Sequence, residues 1–131
     1  MTITHFKDKT VLVVDDAAFI RSMVIRSLQE RNISKVKEAV DGRQALAALH
    51  THQYDLVISD LHMPEVDGFE LLLEMKMDEH LSKIPFLLLT SDVSVETVKK
   101  AIENGISDFL AKPFRSEQLL EKVDKLLVSK K

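Results

Sequence analysis

Apolar residues along the chain gather in short runs of strand length, separated by stretches whose apolar positions recur at helical spacing. The runs are "VLVV" (11–14), "KVKEA" (35–39), "DLVIS" (55–59), "PFLLLT" (85–90) and "DFLA" (108–111), the second being the weakest. Three of them do not alternate polar with apolar residues. Both faces of those strands should therefore be buried, as in a parallel sheet covered by helices on either side. Between the runs, segment 17–31 places Phe19, Ile20, Met23, Val24 and Leu28 along one helical stripe. Segment 42–50 is rich in good helix formers, and further helices are expected over 67–78, 94–104 and 115–128. Ser94 and Ser116 occupy N-cap positions in this reading, and Gly105 a C-cap position.

Five strands alternating with five helices, joined by right-handed crossovers, predict an α/β doubly wound (βα)5 sheet of five parallel strands. The expected strand order is the flavodoxin-like 2-1-3-4-5. With 131 residues the chain has length for one domain, and no period of 20 to 50 residues repeats. A content of 45% hydrophobic and 30% charged residues, with three glycines and three prolines, is that of a globular chain. The formal net charge of -3 provides no general basic surface for nucleic acid. The absence of cysteine excludes disulfides, thiolate nucleophiles and cysteine-ligated zinc. The apolar runs are too short to span a bilayer, and "MTITHFKDKT" lacks the apolar core of a signal peptide. A cytoplasmic protein without a membrane or nucleic-acid partner is the expectation.

In such a sheet ligands bind beyond the carboxyl ends of the strands, near the switch point between the first and third. The first strand ends at Asp15-Asp16, the third at Asp60 and the fourth at Thr90, while the fifth runs into Lys112. One rim would then hold three carboxylates, a hydroxyl and an ammonium. Two carboxylates about 4 Å apart repel by roughly 4 kcal/mol at an effective dielectric near 20, so the cluster calls for a cation. Hard oxygen donors with no adjacent histidine or cysteine ligand favour Mg²⁺, which retains waters and accepts phosphate oxygens. Asp60 is then the candidate nucleophile, since a carboxylate forms an aspartyl phosphate without a base to activate it. Lys112 and Thr90 are placed to meet the oxygens of the transferred group.

Taken singly these residues read otherwise. An Asp-Asp pair is an ordinary device at a helix N-terminus, and Asp16 would also cap the first helix. Asp60 and "MPEVDG" (63–68) would be a loop leading to a helix cap, Thr90 a strand-end hydroxyl and Lys112 a solvated lysine. Only their joint order favours the chemistry. The five histidines, His5, His50, His52, His62 and His80, show no ligand spacing on a common helix face. The methionines at 23, 63, 75 and 77 read as packing or loop residues. "ETVKKAIENG" (96–105) is an amphipathic helix with Lys99 and Lys100 outward, a solvated face or a docking face.

Asp15-Asp16 after "VLVV", Asp60 in "DLHMPEVDG", Thr90 in "LLLTS" and Lys112-Pro113-Phe114 in "AKPF" together resemble the receiver domain of two-component response regulators. The resemblance spans essentially the whole chain, one receiver domain over 1–131 with a core of about 9–128. It implies a phosphorylation switch rather than an enzyme acting on a substrate, with Asp60 accepting phosphate from a histidine kinase or phosphotransfer protein. It further implies Mg²⁺ held by Asp16, Asp60 and the backbone carbonyl of His62, with Asp15 acting through a metal-bound water. Thr90 would follow the phosphoryl group together with Lys112, and Phe109 would be the switch aromatic, lacking the hydroxyl of the tyrosine found in many relatives. His62 and Asp92 fall where the family tunes dephosphorylation, and the fourth helix, fifth strand and fifth helix form its output surface. By resemblance the Lys112-Pro113 peptide is cis.

Two other functions use similar features. A Mg²⁺-dependent aspartyl-phosphate phosphohydrolase shares the carboxylates, but usually needs a cap domain for which 131 residues leave no obvious room. A flavin module on the same fold needs a hydroxyl- or glycine-rich phosphate loop, where "DDAAFIR" (15–21) presents anions. A receiver cut from a longer regulator is a third reading, which the end "LLVSKK" (126–131) does not decide. The methionine start favours an intact, stand-alone receiver of the CheY-like kind, a monomer acting by direct protein contact, as in chemotaxis.

Overall fold

The computed structural model describes residues 6–128. The first five residues, including His5, and residues 129–131 of the lysine-rich end lie outside the described residues. The elements run β1 (Thr10–Val14), α1 (Ala18–Gln29), β2 (Lys35–Ala39), α2 (Gly42–Leu49), β3 (Leu56–Asp60), α3 (Gly68–Lys76), β4 (Phe86–Thr90), α4 (Val95–Glu103), β5 (Asp108–Ala111) and α5 (Ser116–Val128). A 3-10 turn, Leu81–Lys83, which the sequence reading did not contain, precedes β4. All strand pairings are parallel, in the order β2-β1-β3-β4-β5. The expected doubly wound topology is thus the observed one.

Alternation of side chains along each strand explains why the central runs are continuously apolar. Val11 and Val13 of β1, Leu56 and Ile58 of β3, and Leu87 and Leu89 of β4 pack with Val24 and Leu28 of α1 and Leu119, Val123 and Leu127 of α5. The intervening residues Leu12, Val14, Val57, Phe86 and Leu88 pack on the other face with Ala45 and Leu49 of α2 and Leu71, Leu72 and Met75 of α3. Burying each such side chain contributes about 1.5–3 kcal/mol, so a one-residue slip of a central strand would scramble two cores at once. The register, and with it the level at which each strand ends, is fixed by packing. β2 is different: Lys35, Lys37 and Glu38 are exposed, and charge blunts this edge of the sheet.

The helix ends depart from expectation in three places. Phe19, read as part of the apolar stripe of α1, is 72% exposed, whereas Val24 and Leu28 of that stripe are buried with Ser27, and Ile20 and Met23 pack against them. Asp16 does not cap α1; the N-cap is Ala17, without a side-chain cap bond, and the carboxylate that takes the Ala17 N–H is that of Asp15 at 2.9 Å. Ser116 is the first residue of α5 rather than its N-cap, and its hydroxyl shares a 2.8 Å hydrogen bond with Ser27 of α1. Ser94 does cap α4, accepting from Thr97 N at 3.3 Å. Gly105, at φ 93°, follows α4 in the left-handed conformation that favours glycine.

Candidate functional site

Four strand ends meet at the carboxyl rim of the sheet. Asp15 follows β1 and extends the ladder, its N–H donating to Ala39 O at 3.1 Å. Asp60 and Thr90 are the last residues of β3 and β4. Lys112 follows β5, its N–H donating to Thr90 O at 2.9 Å, and the Lys112-Pro113 peptide is cis, as the resemblance implies. The loop after Asp60 is anchored by α3. Asp67 and Glu70 form a reciprocal capping box, and Gly68 N donates to Leu61 O at 2.7 Å. A side chain at Gly68 would place its Cβ 2.6 Å from Asp60 O and 2.9 Å from Leu61 Cα, so only glycine lets α3 start this close to the strand end.

Carboxylate oxygens of Asp15, Asp16 and Asp60 lie within 4.8 Å of one another, the one such cluster among the described residues. Asp15 is 1% exposed and Asp60 8%, whereas Asp16 is exposed. Lys112 reaches into the cluster, its Nζ 3.0 Å from Asp15 Oδ2 and 3.1 Å from Asp60 Oδ1. Burial and the neighbouring Asp15 charge push the Asp60 carboxyl above the usual carboxylate range, although Lys112 and the Leu61 N–H oppose the rise. Burial alone would lower the Lys112 pKa, but hydrogen bonds and attraction to Asp15 and Asp60 raise it, so the ammonium stays charged. One ammonium facing three carboxylates leaves a negative excess.

The donor atoms are unequally committed. Both oxygens of Asp15 are engaged, by Ala17 N and Lys112 Nζ. Asp60 Oδ1 accepts from Leu61 N at 2.9 Å and from Lys112, while Asp60 Oδ2 and the Asp16 carboxylate have no hydrogen-bond partner among the described residues. The His62 carbonyl is likewise without a hydrogen-bond partner there. This set of hard, uncommitted oxygens beside a surplus of negative charge suits Mg²⁺.

Thr90 is 1% exposed, and its Oγ1 accepts from Asp92 N at 2.9 Å. Asp92 Oδ1 accepts from Ser94 N at 3.2 Å and Oδ2 from Thr97 Oγ1 at 2.7 Å. Those bonds, Thr97 first, hold the Asp92 carboxyl below its usual range, helped by the charge of His62. His62 itself is exposed. Phe109 is half-buried and packs against the core cluster on the α2 and α3 side of the sheet. Sequence reasoning gathered Asp15, Asp16, Asp60, Thr90 and Lys112 on one rim, where they are. It missed Gly68 as a close-approach position and Thr97 as a partner of Asp92; the spacing Asp92, Ser94, Thr97 is a capping pattern in which only Ser94 was read.

The family model of the response regulator receiver domain matches residues 11–124. The chain is 33% identical over 120 residues to chemotaxis protein CheY-3 of Vibrio cholerae, covering 92% of each. It is 31% identical over 116 residues to chemotaxis protein CheY of Pseudomonas aeruginosa, covering 88% of this chain and 94% of that one. The solved structure of the chemotaxis response regulator CheY4 of Vibrio cholerae superposes with a TM-score of 0.85 at 37% identity, over 91% of this chain and 98% of that one. The chain therefore belongs to the response regulator receiver domain family, in its CheY-like form, a two-component signalling domain rather than a classical enzyme. Among the described residues no helix is long and apolar enough to cross a membrane.

Proposed function

We propose that the chain is a single receiver domain in which Asp60 accepts a phosphoryl group from a phosphohistidine on a histidine kinase or phosphotransfer protein, with Mg²⁺ as cofactor. The modified domain then presents an altered α4–β5–α5 surface to a protein partner. The names of the relatives point to chemotaxis or motility as the setting. The observation that carries the reading is the unequal use of the Asp60 carboxylate, Oδ1 held twice and Oδ2 without a partner among the described residues, inside an acidic cluster with one committed lysine.

In this reading Leu61 N–H and Lys112 fix the carboxylate so that Oδ2 is the attacking atom. The Oδ2–phosphorus bond forms as the phosphorus–nitrogen bond of the donor breaks, the imidazole leaving with the electron pair. Asp16, Asp60 and the His62 carbonyl would hold the metal directly, while Asp15, both of whose oxygens are engaged, would act through a bound water. Bound there, Mg²⁺ would supply positive charge to the phosphoryl oxygens and would relieve the repulsion among the carboxylates. Lys112 provides a second positive charge for those oxygens. Thr90, whose Oγ1 already accepts from Asp92 N, retains its hydroxyl proton to donate to one of them. His62 and Asp92 set the lifetime of the product, and Phe109 reports the change by turning inward.

The test is incubation with labelled acetyl phosphate, with and without Mg²⁺, of wild type and Asp60→Asn. Acid-stable, base-labile label that needs Mg²⁺ and is absent from the variant is expected. Equal labelling of the variant would reject Asp60 as acceptor.

A further inference from the structure

α4 is attached to the rest of the molecule by little apolar packing. Its only fully buried residue is Ala101, and its outer face leaves Val95 82% and Ile102 64% exposed. An element held by so few buried contacts is positioned by its hydrogen bonds, and these concentrate at its first turn. There, a single residue outside the helix faces both the site and α4. The Asp92 N–H is bonded to the Thr90 hydroxyl oxygen at 2.9 Å, and the Asp92 carboxylate is bonded to the Thr97 hydroxyl at 2.7 Å. The same carboxylate takes Ser94 N at 3.2 Å, and Ser94 in turn caps the helix through Thr97 N at 3.3 Å. Thr97 is thus bonded to this loop through its backbone and its side chain, and the charged bond to Asp92 is the shorter.

We propose that Thr97 is a positioning residue: through its hydroxyl bond to Asp92 it carries the state of Thr90, and hence of the Asp60 site, to α4. The inference deepens the receiver reading and rests on it. When the Thr90 hydroxyl turns toward a phosphoryl oxygen, the Asp92 N–H bonded to it is displaced or released, and the carboxylate draws the first turn of α4 with it. The Thr97–Asp92 bond also holds the carboxylate of this dephosphorylation-tuning position against the helix rather than free at the mouth of the site.

Thr97→Val keeps the branched shape and the backbone bond to Ser94 while removing the hydroxyl, and Thr97→Ser restores the hydroxyl. Each protein is held in excess acetyl phosphate and Mg²⁺. Label on Asp60 and amide hydrogen exchange over residues 95–103 are both followed, and exchange is compared with the unphosphorylated protein. The expected result is label on Asp60 in all three proteins, with α4 compared at equal label, loss of most of the phosphorylation-dependent change in α4 for Thr97→Val, and its return in Thr97→Ser. An unaltered α4 response in Thr97→Val overturns the link. Failure of Thr97→Ser to restore the response overturns it too, since a hydroxyl at this position would then not be sufficient for the link. Absence of label on wild type is distinct from both, failing the receiver reading itself and the inference with it.

Discussion

The close approach at Gly68 pits two effects of one methyl group against each other. Replacing glycine by alanine in a helix gains up to about 1 kcal/mol in propensity. The added Cβ would meet Asp60 O at 2.6 Å and Leu61 Cα at 2.9 Å, both backbone atoms that no side-chain rotation can move aside. Overpacking of that kind costs about 1–3 kcal/mol. Gly68→Ala is therefore expected to lower stability in urea by roughly 1–2 kcal/mol and to slow labelling of Asp60, whose backbone must shift. A variant as stable and as fast as wild type would show that the loop yields freely. Lys112 makes a second residue-scale case. Its ammonium contacts Asp15 and Asp60 as a compact charge at 3.0 and 3.1 Å. A guanidinium is longer and planar, so Lys112→Arg preserves the charge without the geometry. It is expected to accept phosphate while binding output partners less well than wild type when phosphorylated, as read by partner titration with and without acetyl phosphate; normal partner binding would sink the claim.

Most elements were legible in the sequence because two-faced burial leaves a signature: the strands of the sheet's interior appear as unbroken apolar runs, and β2 stands out as weak because it is an exposed edge. The rim of the site was legible for the same reason, since topology decides which residues end neighbouring strands. Details set by loop geometry were not. The direction of Phe19 depends on the exact phase of α1 over the sheet, and the choice of Asp15 over Asp16 at its start depends on where β1 releases the chain. The Asp92–Thr97 bond joins a loop residue to the first turn of α4, and it follows from capping geometry rather than from apolar periodicity. One inter-element tie gives a pH prediction. Asp108 at the start of β5 accepts from Lys122 at 3.0 Å and from Lys125, both on α5. Burial would raise its pKa, but Lys125, Lys122 and the Phe109 N–H outweigh it, and the folded value lies below the ordinary 3.8. A depressed carboxyl stabilises the fold above its unfolded pKa, and the gain is lost as pH falls through the folded value. With the lysines partly solvated, the tie contributes about 0.5–1 kcal/mol. Asp108→Asn should be less stable than wild type by that margin at neutral pH. The gap should close below about pH 4; a gap unchanged in acid would mean that charge is not its source.

At the scale of the whole molecule the site and the fold are coupled, because β1 and β3 lead into the acidic cluster, β4 ends at Thr90, and these three strands form the centre of the sheet between both cores. Without metal, the Asp60 charge is a burden: its pKa is raised by burial and by Asp15, so the folded state holds the proton more tightly than the unfolded chain does. The sign follows directly. Stability declines as pH rises from the ordinary carboxylate value through the raised one, and the loss persists at neutral pH. Asp60→Asn removes that burden while leaving a side-chain oxygen for Lys112 and Leu61 N, so the metal-free variant is expected to be at least as stable as wild type. Mg²⁺ should invert the comparison. A cation that binds only the folded state at ten times its dissociation constant stabilises by about 1.4 kcal/mol. That corresponds to roughly 3–7 °C in Tm for a chain of this size. The wild type should show this gain, and Asp60→Asn should lose most of it along with one charged ligand. Thermal unfolding of both proteins in EDTA and across a Mg²⁺ series measures the two effects separately. Equal stabilisation of the two by Mg²⁺ would place the cation away from Asp60. A metal-free variant much less stable than wild type would mean instead that the Lys112–Asp60 attraction outweighs the burial and repulsion that raise the Asp60 pKa.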